Sequence, residues 1–285
     1  MSHRYCGREF QADDIALIRA LIAEDPTRTR AALSRLTCQV LAWHKPDGGL
    51  KDMSARVAML RMHEDGLITL PPPRNPRPDA RVRLSALSDP QPVLEQPAAV
   101  LRPLVFSCVR EKAQSRLYNE LIERYHYLGH TPLPGAQLRY LVYSAEQPVA
   151  ALGFGAAAWM CAPRDHFIGW THEQRQRHLH RVVNNARFLI LPWVRSKNLA
   201  SMLLAQAAKL LPEDWLAIYG YRPLLLETFV ETPRFRGTCY KAANWTYLGQ
   251  TKGRGKLGPA GIQSVAIKDI WTYPLDRRFR EILTR

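Results

Sequence analysis

Residues 187–208 read RFLILPWVRSKNLASMLLAQAA: an apolar run closed by Pro192, a short turn holding Arg195 and Lys197, then a long stretch of small and aliphatic residues. An apolar run stopped by proline and followed by an Ala/Leu-rich stretch reads as a strand, a turn and a helix. The first N–H groups of a helix have no intrahelical partner, and the helix dipole favours an anion there. Two cations at that point therefore mark the turn as a phosphate-contacting element.

The charge of the whole chain agrees. Forty Lys and Arg stand against twenty-five Asp and Glu among 285 residues, a formal +15, and the partner such a surplus suits is a polyanion. With 46% hydrophobic residues the chain has ample material for a core. The five cysteines are scattered singly without zinc spacing, so free thiols in a reducing cytoplasm are expected. The N-terminus MSHRYCGREF has no signal-peptide core, and no apolar run reaches the ~20 residues of a membrane helix. A cytoplasmic protein with no membrane contact is the expectation.

Composition changes between Leu84 and Pro103, where SALSDPQPVLEQPAAVLRP carries four prolines and no aromatic residue. Proline fixes φ and keeps its predecessor out of the helical region, which predicts an extended linker over 85–103. Residues 1–84 form a head and residues 104–285 the main domain, with a basic C-terminal segment.

In the head, Ile15, Ile18, Leu21 and Ile22 share one face of a first helix, and TRTRAALSRLTCQVLAW is a second behind a Thr cap. A third helix, LKDMSARVAMLRMHEDG, precedes two short strands, LITL and RVRL, around the basic loop PPPRNPRPDAR. Three helices followed by a ribbon with a basic tip is the order of a winged helix-turn-helix. Met53, Val57 and Leu60 are expected to pack inward from the third helix, Lys51 and Ser54 to project into a major groove, and Arg56 and Arg61 to flank them. Arg74 and Arg77 belong to the wing, against phosphates.

The main domain reads as helix (111–129), hairpin (137–159), the strand, basic turn and helix quoted above, the strand LLLETFVE, the short helix TCYKAANW and a last strand TYLGQT. This order resembles an acetyltransferase fold of the GNAT type. In that family the strand-to-helix turn usually reads Arg or Gln, two residues, Gly, one residue, then Gly or Ala, and its backbone N–H groups hold the coenzyme A pyrophosphate. Here it is Arg195-Ser196-Lys197-Asn198-Leu199-Ala200. Asn198 replaces the central glycine; asparagine tolerates positive φ but adds a side chain at the phosphate position. Coenzyme A is therefore not expected to bind tightly.

YHYLG (125–129), RDHFIGW (164–170), VVNNARFLILPWV (182–194), NLAS (198–201), LLLETFVE (224–231), GTCYKAANWTYLGQTKGRGK (237–256) and KDIWTYPL (268–275), with WHKPDGGLKDMS in the head, together resemble the DruA family. The resemblance implies a component of Druantia anti-phage systems or a relative that accompanies transposases. It carries over no catalytic residues.

Several residues are candidates for chemistry. Asp165 either pairs with Arg164 and closes a turn, or acts as metal ligand or general base while Arg164 contacts phosphate. Glu227 follows three leucines in a strand, a costly place for a carboxylate unless it is paired or functional. Asp165 and Glu227 together would suit Mg²⁺. Tyr240 and Asn244, four apart on the short helix, would share a face; a tyrosine here protonates a thiolate in acetyltransferase-like proteins, or pairs with the amide in a core. Asn184 and Asn185 would orient a substrate or close the turn before the Arg187 strand. His178 and His180 flank Leu179 on a helix and point apart, a surface face rather than a metal pair. Lys252, Arg254 and Lys256 line a glycine-containing phosphate-binding strip.

The combined expectation is an α+β chain, a winged helix-turn-helix-like head followed by a GNAT-like domain, that binds double-stranded DNA with other defence or transposition proteins. The alternatives are a Mg²⁺-dependent nuclease or transposase-like enzyme, a nucleobase- or protein-modifying acyltransferase, and a nonenzymatic DNA-binding adaptor.

Overall fold

The first residues form a ribbon that the sequence reading does not assign. Strand β1 (His3–Tyr5) pairs antiparallel with β2 (Arg8–Phe10) around Cys6 and Gly7, both at positive φ (51° and 82°), the two-residue turn whose twist matches a hairpin. The computed structural model describes residues 2–44, 48–74, 82–253 and 263–285, in two units, Met1–Arg81 and Val82–Arg285. Among the described residues no helix is long and apolar enough to cross a membrane.

Three helices complete the first unit: α1 (Ala12–Glu24), α2 (Arg30–Val40) and α3 (Asp52–Glu64). Thr29 caps α2 by accepting from Ala32 N–H at 3.2 Å. The expected orientation of α3 is corrected. Ala55, Ala58, Met59 and Met62 face the core, whereas Met53, Val57 and Leu60 are 60%, 39% and 40% exposed. Both sets obey the helical period; the set with two alanines is the one that packs against α2. The two strands expected after α3 are also absent from the described residues 67–70 and 82–84. Ile68 and Leu70 are buried, but Arg19 Nε takes the Leu67 carbonyl and Arg30 Nε the Pro71 carbonyl, each at 2.7 Å, so helix side chains serve this backbone in place of a partner strand. Arg77 lies outside the described residues.

The second unit is built on a seven-stranded sheet. Its elements are β3 (Leu104–Cys108), α4 (Lys112–Tyr125), β4 (Gln137–Ser144), β5 (Gln147–Ala156), α5 (Ala162–Ile168), α6 (His172–His178), β6 (Val182–Ile190) and α7 (Leu199–Tyr219). After them come β7 (Leu225–Glu231), α8 (Thr238–Ala242), β8 (Thr246–Gln250), β9 (Lys268–Pro274) and α9 (Phe279–Leu283). The strand order is β3-β4-β5-β6-β7-β9-β8. All neighbours are antiparallel except β6 and β7, which run parallel and pair only from Val182–Leu225 to Asn184–Glu227. Beyond those three pairs the two strands part, leaving a concavity between them.

Alternation along β4 puts helices on opposite faces of the sheet. Arg139 reaches Ser115 and Asn119 of α4, while the next residue, Tyr140, donates from Oη to Asp214 Oδ2 of α7 at 2.7 Å.

The proline-rich segment 85–103 is not a free linker. Ala98 and Leu101 are buried in the core of the second unit, Ser85 N–H donates to Glu120 Oε2 at 2.8 Å, and Leu94 bridges to Trp193 and Arg195 through two 2.8 Å backbone bonds. The segment is not extended throughout, since Ala86–Ser88 form a 3-10 turn and residues 98–101 turn again, and its few apolar residues fasten it. Leu101→Ala should therefore destabilise the second unit by about 2–5 kcal/mol, a core value, rather than the ~0.5 kcal/mol of a linker position. Six of the seven tryptophans lie in 82–285, so denaturant unfolding followed by tryptophan fluorescence reads this directly.

Candidate functional site

The cleft where β6 leaves β7 begins at a bulge. Arg187 stands opposite Gly153 and Asn185 opposite Phe154, so Ala186 is an extra residue on β6. Asn184 and Asn185 thus lie inside this strand, not in a turn ahead of it. A lash of hydrogen bonds fixes the cleft wall. Tyr240 Oη donates to Asn185 Oδ1 at 2.9 Å, Thr228 Oγ1 donates to the Asn185 carbonyl at 3.0 Å, and Asn185 Nδ2 donates to the Arg187 carbonyl at 3.1 Å. Tyr240 is buried, and burial pushes its phenol well above the usual tyrosine range, so it sits as a neutral donor. Its partner is Asn185 and not Asn244, because α8 ends at Ala242 and Asn244 turns away at φ 63° into solvent.

The cleft has a volume of about 710 Å³. Arg187, Arg234, Arg236 and Lys268 line it, against Glu231 as the carboxylate among the described lining residues. Tyr127 and Phe235 meet at its mouth with ring centroids 5.1 Å apart, and the Arg234 guanidinium lies 4.8 Å from the Tyr127 centroid. His126 is held neutral: burial, with Arg187 nearby, pushes its pKa down to about 4. The Asn184 Oδ1 and Arg187 Nε atoms are buried without a partner. The sequence reading did not single out His126, Tyr127, Arg234 or Lys268 as site residues; they come from three separate stretches, and the motifs YHYLG and KDIWTYPL that hold three of them drew notice only for their resemblance.

Asp165 and Glu227 converge, but on an arginine. Arg164 and Glu227 are fully buried; Arg164 Nη1 donates to Glu227 Oε2 at 2.9 Å and Arg164 Nε to Asp165 Oδ1 at 2.9 Å. Glu227 Oε1 accepts from Ala158 N–H at 2.8 Å, and Asp165 also accepts from Trp170 Nε1 at 3.0 Å and Arg175 Nη1 at 3.3 Å. Burial pushes the Glu227 carboxyl up, against the pull of Arg164 and Ala158. With their oxygens taken by donors, these carboxylates do not fit a Mg²⁺ ion, and Arg164 does not reach solvent to meet phosphate. The cluster is a clasp tying α5 and α6 to β7.

In the turn before α7, Asn198 adopts φ 64°, the left-handed conformation a glycine would supply, and opens the helix. Arg195 and Lys197 are exposed, and Arg195 lies 3.9 Å from Glu95. His178 ends α6 and His180 packs edge-on against Tyr221, centroids 4.9 Å apart. In the first unit Lys51 precedes α3, Ser54 and Arg56 are half-buried, and Arg61 and Arg74 are exposed. Lys252 is exposed; Arg254 and Lys256 lie outside the described residues.

A family model described as "Druantia protein DruA" matches residues 79–273. No curated protein matches the chain. Similar solved structures include a spermidine N-acetyltransferase SpeG chimera from Vibrio cholerae and hSSAT, 12% identical over 60% of this chain and 95% of that one, TM-score 0.39. An N-acetyltransferase from Staphylococcus aureus is 11% identical over 60% and 97%, TM-score 0.38. A polyamine N-acetyltransferase from Drosophila melanogaster is 11% identical over 60% and 99%, TM-score 0.37.

The clasp makes a clear expectation. Arg164→Ala strands a buried carboxylate and should cost about 3–5 kcal/mol in chemical denaturation, while Arg164→Leu combined with Glu227→Leu should recover much of that loss. Mg²⁺ should leave the melting temperature of the unaltered protein unchanged; a clear rise would mean that the carboxylates bind metal.

Proposed function

The chain belongs to the DruA family, and from that premise we propose that it is a DNA-binding member whose second unit makes the principal contact and takes an unpaired nucleotide into the β6–β7 cleft. The observation that carries this reading is the cleft itself: four cations on its walls, with Tyr127 and Phe235 meeting edge-on and the Arg234 guanidinium lying over the Tyr127 ring. Cationic walls follow a phosphate backbone, and aromatic faces stack on bases irrespective of sequence.

The distribution of charge supports the same unit. Residues 1–81 hold thirteen Lys and Arg against ten Asp and Glu, and residues 82–285 hold twenty-seven against fifteen, so the units carry +3 and +12. The exposed Arg195 and Lys197 at the start of α7 add to the cationic surface of the second unit. The head contributes secondary duplex contacts through Lys51, Arg61 and Arg74. Within the family the setting is anti-phage defence or a mobile element, in the cytoplasm, alongside other defence or transposition proteins.

A second reading, acyl transfer from a coenzyme A-type donor, is favoured by two observations. Asn198 offers the backbone conformation of a glycine where α7 begins, and the neutral Tyr240 hydroxyl stands in the cleft wall. The Asn198 side chain, at the position a pyrophosphate would occupy, weighs against it. Calorimetry with acetyl-CoA should show no binding at micromolar affinity; a sub-micromolar Kd would bring this reading to the front.

The DNA reading is tested by anisotropy with labelled duplexes. One unpaired nucleotide should raise affinity over the fully paired duplex, and Tyr127→Ala should remove that preference, worth about 1–3 kcal/mol of stacking. Arg234→Ala with Arg236→Ala should flatten log K against log salt by roughly one to two units. Equal affinity for both duplexes, with salt slopes unaltered in the double variant, would overturn it.

A further inference from the structure

A smaller cavity of about 170 Å³ shares a lining residue, Arg187, with the cleft. Tyr118, Asn119, His130, Thr131, Gln137 and Arg139 supply its other polar lining, and no carboxylate is among its described lining residues. Glu123 on α4 accepts from the backbone N–H of His130, a lining residue, at 2.7 Å. Among the described residues neither Arg139 nor Arg187 forms an ion pair. Arg139 Nη1 donates to the neutral Ser115 Oγ (3.0 Å) and Asn119 Oδ1 (3.1 Å), and Arg187 Nη1 to the Ala186 carbonyl (2.8 Å).

Tyr118 is the second, independent sign. Its side chain is almost completely buried, and its hydroxyl has no hydrogen-bond partner. The hydroxyl sits beside Arg187 at Gly153: a Cβ placed on that glycine would fall 2.4 Å from Tyr118 Oη and 3.2 Å from Arg187 Cβ. The Arg139 guanidinium lies 5.4 Å from the Tyr118 ring centroid. Native interiors rarely leave a phenol unpaired, and two guanidiniums seldom share a small chamber without an acid.

We propose that this second cavity is a phosphate site, in which Arg139 and Arg187 supply the charge and Tyr118 Oη donates a hydrogen bond to a phosphate oxygen. Two cations with a neutral donor match a dianionic phosphate better than a singly charged carboxylate. The phosphate belongs either to a DNA strand end or to a free mononucleotide. The proposal does not depend on the nucleotide-binding reading of the larger cleft, because inorganic phosphate alone tests it.

The experiment follows the thermal midpoint of the full chain during titration with inorganic phosphate, with chloride and acetate at matched ionic strength as controls. Phosphate should raise the midpoint and the controls should not. Tyr118→Phe should weaken the apparent phosphate affinity about tenfold or more, the scale of a hydrogen bond to a charged group, and Arg139→Gln should abolish the response. Tyr118→Phe removes one unpaired atom and leaves the core filled, so it carries the test even where Arg139→Gln fails to fold. Tyr127→Ala should leave the phosphate response intact whatever it does to DNA binding.

Competition then separates the sources: a 5′-phosphorylated oligonucleotide displacing phosphate where its 5′-hydroxyl counterpart does not identifies a strand end, and displacement by a mononucleotide alone identifies the free ligand. No phosphate-specific rise in the unaltered protein would overturn the proposal. So would a Tyr118→Phe variant that is more stable yet responds as before, since the hydroxyl would then be a tolerated flaw in the core.

Discussion

Strands β6 and β7 pair through three residues and then separate, and most features of the second unit follow from that early parting. A sheet with both central strands fully paired would have no interior space between them. Here the Ala186 bulge turns β6 away, and backbone groups that lose ladder partners are served by side chains: Asn185 bonds the Gly153 and Arg187 carbonyls, and Thr228 bonds the Asn185 carbonyl. Tyr240 closes the lash from α8. The cleft is thus an opening, lined by strand residues and α8, whose wall is hydrogen-bonded as a split sheet requires.

Residues 187–208 read correctly as strand, turn and helix because each follows its own period, and Asn198 takes the left-handed conformation its chemistry permits. Other elements were hidden for physical reasons. Strand β9 follows a basic, glycine-containing stretch and inserts between β7 and β8, a placement that chain order does not reveal. Helix α3 carries two apolar faces of equal period, and only packing against α2 selects the alanine face. Arg164 and Glu227 are 63 residues apart; the sequence marked both as unusual, but their joining in a clasp, with Asp165 drawn in, depends on the fold. The cleft cations come from β6, the stretch after β7, and β9, so no local motif announces them.

The buried clasp and the exposed cations show two opposite uses of arginine in one domain. Arg164 is desolvated, held by two carboxylates and a carbonyl, and away from solvent. Arg234 and Arg236 are solvated and stand without carboxylate partners among the described residues, which is the condition for exchanging water and counterions for phosphate.

Arg187 belongs to both cavities. Any occupant that fixes its guanidinium in one chamber alters the field and the free space in the other. By thermodynamic linkage the effect must be reciprocal: whatever factor the first occupant applies to the affinity of the second, the second applies to the first. If both chambers take occupants, a single side chain shared between them would let each input be felt at the other.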